Sequence, residues 1–179
     1  MRTIRQLVDD RAGADASATF FIAPHTGRSL TFGELRDSCT AVSAMLKARG
    51  LVPGEHVSLV LGNGIQTVRL LLGAMYGGYC VNPVNLLSQP EQMRYVIDHA
   101  DARVVFVASE WLERVRDLVA NISRPIDLIA IDADGTSLPG EGAMSQAPSV
   151  QQDVKPDARA LLMYTSGTTG QPKGVMHTS

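Results

Sequence analysis

Residues Tyr164-Thr165-Ser166-Gly167-Thr168-Thr169-Gly170-Gln171-Pro172-Lys173-Gly174 place four aliphatic hydroxyls, three glycines and one lysine within eleven positions. They follow directly on the apolar run Ala160-Leu161-Leu162-Met163. This mixture suits a polyphosphate. Glycine lets the backbone turn tightly and approach oxygen atoms with no side chain in the way. Successive free N–H groups in such a loop form an anion-binding concavity. Ser and Thr hydroxyls add donors or a magnesium ligand, and Lys173 supplies a mobile point charge. A solvated hairpin turn is the plain alternative, but a bare turn seldom needs so many hydroxyls beside a lysine.

The spacing differs from the common P-loop, G-x-x-x-x-G-K-[ST], because Gly167 is followed by Gly170 and Lys173 follows Pro172. Thr165 to Gly174 instead resembles the phosphate loop of the adenylate-forming (AMP-binding) superfamily, [ST]-[ST]-G-[ST]-[ST]-G-x-P-K-G, at every specified position. Leu30-Thr31-Phe32-Gly33-Glu34-Leu35 is similar to that family's L-[TS]-[YF]-x-[ED]-L motif. Leu71 to Pro83 is similar to its apolar helix running into G-x-x-x-x-P. The order of the three fits the N-terminal part of an acid–CoA ligase.

The resemblance implies chemistry in two steps. A carboxylate attacks the α-phosphate of ATP and releases pyrophosphate; coenzyme A then displaces AMP. It assigns phosphate binding to Thr165, Ser166, Gly167, Thr168, Thr169, Gly170 and Lys173. Lys173 stabilises the departing pyrophosphate, and Thr168 or Thr169 approaches Mg2+. It makes residues 1–179 the N-terminal portion of the adenylate-forming domain, with 133–157 a surface connection and 164–174 the phosphate loop. The remainder of the enzyme, a carboxylic acid, ATP and coenzyme A become the partners. Family members run well beyond 179 residues, so this stretch alone is expected to be inactive. Two other readings stay open: an adenylation domain that loads a carrier protein, and a non-catalytic phosphate-binding fragment.

The 179 residues suffice for one sizeable core. An apolar fraction of 45% and a net charge of −2 fit an ordinary soluble globular segment. No basic excess points to nucleic acid. The apolar stretch near Leu70 to Val81 is too short and glycine-rich to span a bilayer. No secretory signal is visible at the start, so a cytoplasmic location is expected. Cys39 and Cys80 are the only cysteines and read as buried free thiols.

The elements that must position the loop read as alternating strands and helices. Helices are expected at Thr3 to Arg11, from Thr31 to Gly50, from Gly64 to about Tyr76, around Pro90 to about His99, and at Glu110 to about Asn121. Thr31 with Glu34, and Ser88 with Glu91, have capping-box spacing. Leu35, Ser38, Cys39, Val42, Met45 and Leu46 form one apolar helical face. Strands are expected at Ala18 to Ala23, His56 to Leu61, Tyr79 to Val81, Arg103 to Ala108, Ile126 to Asp132, Arg159 to Thr165 and Gly174 to His177. This alternation argues for an α/β fold with a largely parallel sheet flanked by helices. The phosphate loop then joins two strands.

Other chemistry-bearing residues weigh less. Gly62-Asn63-Gly64 lacks the third glycine and the later acid of a dinucleotide fingerprint and reads as a turn. Asp132-Ala133-Asp134-Gly135 lacks the later ligands of a calcium loop. His25 and His99 read as solvated and His56 as packing. His177 lies just past the phosphate loop, and a structural role is favoured there too.

Overall fold

Thr31 accepts the Glu34 N–H at 3.2 Å, and the Glu34 carboxylate accepts the Thr31 N–H at 2.8 Å. This reciprocal cap starts helix α2 (Phe32–Ala48) where the sequence places it. Gly50, at φ +79°, stops it: the Gly50 N–H donates to Lys47 O at 2.9 Å and the Leu51 N–H to Leu46 O at 3.2 Å. That pairing needs a left-handed residue, which glycine adopts without strain. Thr31→Ala is expected to lower stability by about 1 kcal/mol. The urea midpoint should fall with an unchanged m-value, and an unshifted midpoint would show the cap to be idle.

The computed structural model describes residues 2–133, 135–138, 154–165 and 172–179. Before α2 come α1 (Ile4–Ala14), β1 (Thr19–Ile22) and β2 (Ser29–Thr31). After it come β3 (His56–Val60), α3 (Ile65–Tyr76), β4 (Cys80–Pro83), α4 (Pro90–His99) and β5 (Ala102–Ala108). A short 3-10 turn at Ser109–Trp111 leads into α5 (Leu112–Val119), followed by β6 (Asp127–Ile131), β7 (Arg159–Thr165) and β8 (Lys173–Thr178).

Six strands form one sheet in the order β6-β5-β3-β4-β7-β8, and β1 and β2 form a separate antiparallel pair. Within the large sheet only β7 and β8 are antiparallel to each other. The expected α/β fold with a mostly parallel, helix-flanked sheet is what forms. Val57, Leu59, Val81, Val104 and Phe106 point to one face, where residues of α2 and α3 cover them. Val60, Val105 and Val107 point to the other, where α4 and α5 residues cover them. A strand buried on both faces needs apolar residues at consecutive positions, which explains the run from Val104 to Ala108 in β5.

The α2–α3 interface also buries polar groups. Arg69 Nε donates to Ser38 Oγ at 2.7 Å, and Ser38 Oγ donates to Glu34 O at 2.6 Å. Buried polar side chains cost free energy unless so paired.

Two local readings are corrected. The box expected at Ser88 and Glu91 forms one residue later: the helix cap is Gln89, whose N–H donates to Gln92 Oε1 at 3.4 Å. Pro90 explains the shift, because its missing N–H and fixed φ suit the first helical position. No strand is expected at Ser29–Thr31, which forms β2, since Leu30 and Ser29 pair with Phe21 and Ile22.

Most of the stretch expected to be a surface connection, at 134 and 139–153, lies outside the described residues. At its ends Leu138 and Val154 are buried. Gln66 fastens the near end, its side-chain N–H donating to Gly135 O at 2.7 Å.

Candidate functional site

Strand β7 runs parallel to β4, with Val81 opposite Leu161, and so ends at the same side of the sheet as the other parallel strands. In open α/β sheets ligands bind outside these carboxyl ends. Antiparallel pairing then brings the chain back along β8, with Thr165 opposite Lys173 and Tyr164 opposite Gly174. The expectation that the loop joins two strands is met. Thr165 and Lys173 form its mouth and are both exposed. Lys173 has no ion-pair partner among the described residues. An exposed, uncommitted ammonium is free to meet an anion. Ser166, Gly167, Thr168, Thr169 and Gly170 lie outside the described residues.

The mouth is built on Tyr164. Its half-buried ring packs against the cluster of Cys80, Ala100 and Leu162. Burial pushes its phenol pKa up to about 12, keeping it protonated. A Cβ at Gly174 would sit 3.0 Å from Leu162 Cδ1 and 3.5 Å from Tyr164 Cε1. Glycine after Lys173 therefore leaves room for the side chains of β7.

His99 differs from its sequence reading. It is exposed, but it is engaged: Nδ1 lies 2.7 Å from the Tyr164 hydroxyl, and the rings meet edge-on with centroids 5.7 Å apart. Tyr95, one helical turn earlier, flanks the imidazole at 5.3 Å. The i, i+4 spacing of Tyr95 and His99 was the available signal, since it puts both on one helix face.

The remaining candidates stay outside this cluster. His177 is exposed on β8 opposite Leu161, well along the strand from the mouth. His25 is exposed. His56 is half-buried, its Nδ1–H donating to Ala100 O, and burial lowers its pKa. Its Nε2 has no partner among the described residues. Burial raises the Cys39 thiol to about 12 and the Cys80 thiol to about 11. Neither can supply a thiolate nucleophile near neutral pH. Gly62-Asn63-Gly64 is a bend whose last glycine caps α3. Asp132 O accepts the Gly135 N–H at 3.0 Å in a turn, and no cluster of three or more His, Cys, Asp or Glu side chains capable of holding a metal occurs among the described residues. Among those residues, too, no helix is long and apolar enough to cross a membrane.

The sequence and fold both have known counterparts. A family profile described as AMP-binding enzyme matches residues 8–179. A sulfoacetate–CoA ligase of Cupriavidus necator is 41% identical over 176 residues, covering 98% of this chain and 35% of that protein. A 4-hydroxybenzoate–CoA/benzoate–CoA ligase of Rhodopseudomonas palustris is 34% identical, covering 97% of this chain and 32% of that protein. The chain thus spans about a third of the length of these relatives. The crystal structure of VinN superposes with a TM-score of 0.85 at 28% identity, covering 99% of this chain and 43% of that one. The anthranilate–CoA ligase AuaEII, solved with anthranoyl-AMP, superposes with a TM-score of 0.86 over 99% of this chain and 34% of that one. Its identity is 22%, so it speaks to the fold alone.

Proposed function

This chain belongs to the AMP-binding enzyme family, and on that premise we propose that it forms the N-terminal part of an ATP-dependent acid–CoA ligase. Such an enzyme joins a carboxylic acid to AMP and then passes the acyl group to coenzyme A. One observation carries the reading. Lys173, exposed and without an ion pair among the described residues, faces Thr165 across the β7–β8 mouth at the carboxyl end of the sheet, with the family's hydroxyl- and glycine-rich sequence between them.

In the first step an acid carboxylate oxygen bonds to the α-phosphorus as its bond to the β-bridging oxygen breaks. Negative charge grows on the leaving pyrophosphate. Lys173 and the Thr165 hydroxyl, at the β7–β8 mouth, are proposed to meet it, and the family sequence assigns the same role to Ser166, Gly167, Thr168, Thr169 and Gly170, which lie outside the described residues. Donors aimed at charge that grows in the transition state lower the barrier more than they tighten ground-state binding. Magnesium would neutralise further phosphate charge. Within this chain the hydroxyl of Thr168 or Thr169 is the proposed ligand, because oxygen donors suit a hard cation. In the second step the thiol of coenzyme A attacks the acyl carbonyl and AMP leaves. Neither Cys39 nor Cys80 offers a thiolate to either step, because burial raises both thiols. The two buried, unpaired thiols also fit a reducing, cytoplasmic setting.

ATP–pyrophosphate exchange by the complete protein tests this. Sulfoacetate, benzoate and hydroxybenzoates are the first acids to try, being those named for its relatives. Exchange should depend on the acid, and added coenzyme A should yield a thioester and AMP. Residues 1–179 alone should give none. No exchange with any acid, from protein that still binds ATP, would favour a non-catalytic phosphate-binding role. Exchange without thioester formation would favour a carrier-protein acceptor.

A further inference from the structure

We propose that His99 is a positioning residue for Lys173, acting through Tyr164. The inference rests on the proposed adenylation reaction and adds to it a residue far from the phosphate loop in sequence.

A continuous set of contacts supports the assignment. The carboxyl end of α4 is fixed from two sides. His56, on central strand β3, donates to Ala100 O. Arg124, in the connection between α5 and β6, donates to Ile97 O at 2.8 Å, to Ala102 O at 3.3 Å and to the Asp98 carboxylate at 2.5 Å. His99 sits on this fixed end. Its Nδ1 meets the Tyr164 hydroxyl, its ring meets the Tyr164 ring edge-on, and Tyr95 closes its other side.

Tyr164 in turn pairs with Gly174, whose missing side chain lets the tyrosine ring lie close. Gly174 follows Lys173 directly. The path therefore runs from the sheet centre through the α4 terminus, His99 and Tyr164 to the backbone that carries the lysine. Every link is a described contact between fixed elements. All six residues of β8 are exposed, and its pairing partner among the described residues is β7. A displacement near 1 Å at a reacting group costs up to about a hundredfold in rate, so contacts that hold the backbone of Lys173 bear on the chemistry.

The test uses the complete enzyme with an acid that supports exchange. His99→Ala and Tyr164→Phe should each lower the maximal exchange rate about fivefold to twentyfold, with the KM for ATP little changed. The double variant should lose no more than either single one, because both break one link. His99→Asn keeps a polar acceptor at the δ position and should recover most of the rate. Hydrogen exchange followed by mass spectrometry supplies a readout independent of activity. Amides in 159–165 and 173–178 should lose protection in His99→Ala and regain it in His99→Asn.

An unchanged rate in both single variants, additive losses, or losses matched by a fall in unfolding midpoint would overturn the positioning role. If the unaltered enzyme shows no exchange with any acid, the adenylation reading fails instead. The hydrogen-exchange comparison then still decides whether His99 braces the hairpin.

Discussion

Lys173→Ala is expected to slow acyl-adenylate formation by about 10²–10³-fold in single-turnover measurements on the complete enzyme, without changing its affinity for the acid. The magnitude is that of removing one electrostatic donor from a developing anion, about 2.7–4 kcal/mol of barrier. The separation of rate from binding follows from when the charge appears. Bound ATP already carries charge on its phosphates, but the pyrophosphate oxygen that leaves the α-phosphorus gains its share only as the bond breaks. A lysine that meets that oxygen acts mainly in the transition state. Its side chain is exposed and forms no ion pair among the described residues, so truncation removes little packing and should shift stability by less than about 0.5 kcal/mol. Lys173→Arg keeps the charge but spreads it over a planar fork and should fall between the two. A rate unaffected by Lys173→Ala would remove the lysine from the chemistry. A raised KM for ATP at unchanged maximal rate would make it a ground-state binding residue.

The sequence disclosed this lysine and its hydroxyl-rich neighbourhood because their chemistry is local: residue type and spacing within eleven positions carry it. The helix faces were legible for the same reason. All six residues read as the apolar stripe of α2, from Leu35 to Leu46, are buried. The Thr31–Glu34 cap is likewise a three-residue relation.

What stayed hidden depends on distant partners. β2 is three residues long and owes its strand geometry to β1. The placement of β7 beside β4 joins segments that 75 residues or more of intervening chain separate, for which no local pattern exists. His99 looked solvated because a helix-end histidine usually is, and its partner lies 65 positions away. The cap at Gln89 was missed for a different reason. Ser88/Glu91 and Gln89/Gln92 are overlapping choices of one spacing, and only the backbone at Pro90 selects between them. The position of Ser166 to Gly170 lies outside the described residues, so the loop's chemistry is read from its sequence and from the two strand ends that hold it.

Gly73→Ala should destabilise the protein by about 1–3 kcal/mol, although alanine is the better helix former. In an open helix the exchange would gain about 0.5–1 kcal/mol. Here α3 lies so close to α2 that an added Cβ would sit 2.6 Å from Val42 Cβ and 3.0 Å from both of its methyls. Val42 is fully buried, and its Cβ is fixed to the backbone. No rotamer change can move it aside, so the helices themselves must separate. Separation would strain the Arg69–Ser38 hydrogen bond that crosses this interface. It would also pull on the carboxyl end of α3, where Gly78 turns the chain into β4, the strand that β7 pairs with. A fall in stability should therefore come with looser pairing of β7. Val42→Ala alone leaves a cavity and also destabilises. Combined with Gly73→Ala it relieves the two methyl contacts at 3.0 Å and leaves the Cβ contact at 2.6 Å, so the two losses should add to more than the double variant shows, while the double variant stays less stable than Val42→Ala alone. Urea unfolding of the four proteins of this cycle measures the coupling. A Gly73→Ala protein as stable as the parent, or more so, would mean that α2 and α3 stand further apart than the Val42 contact implies.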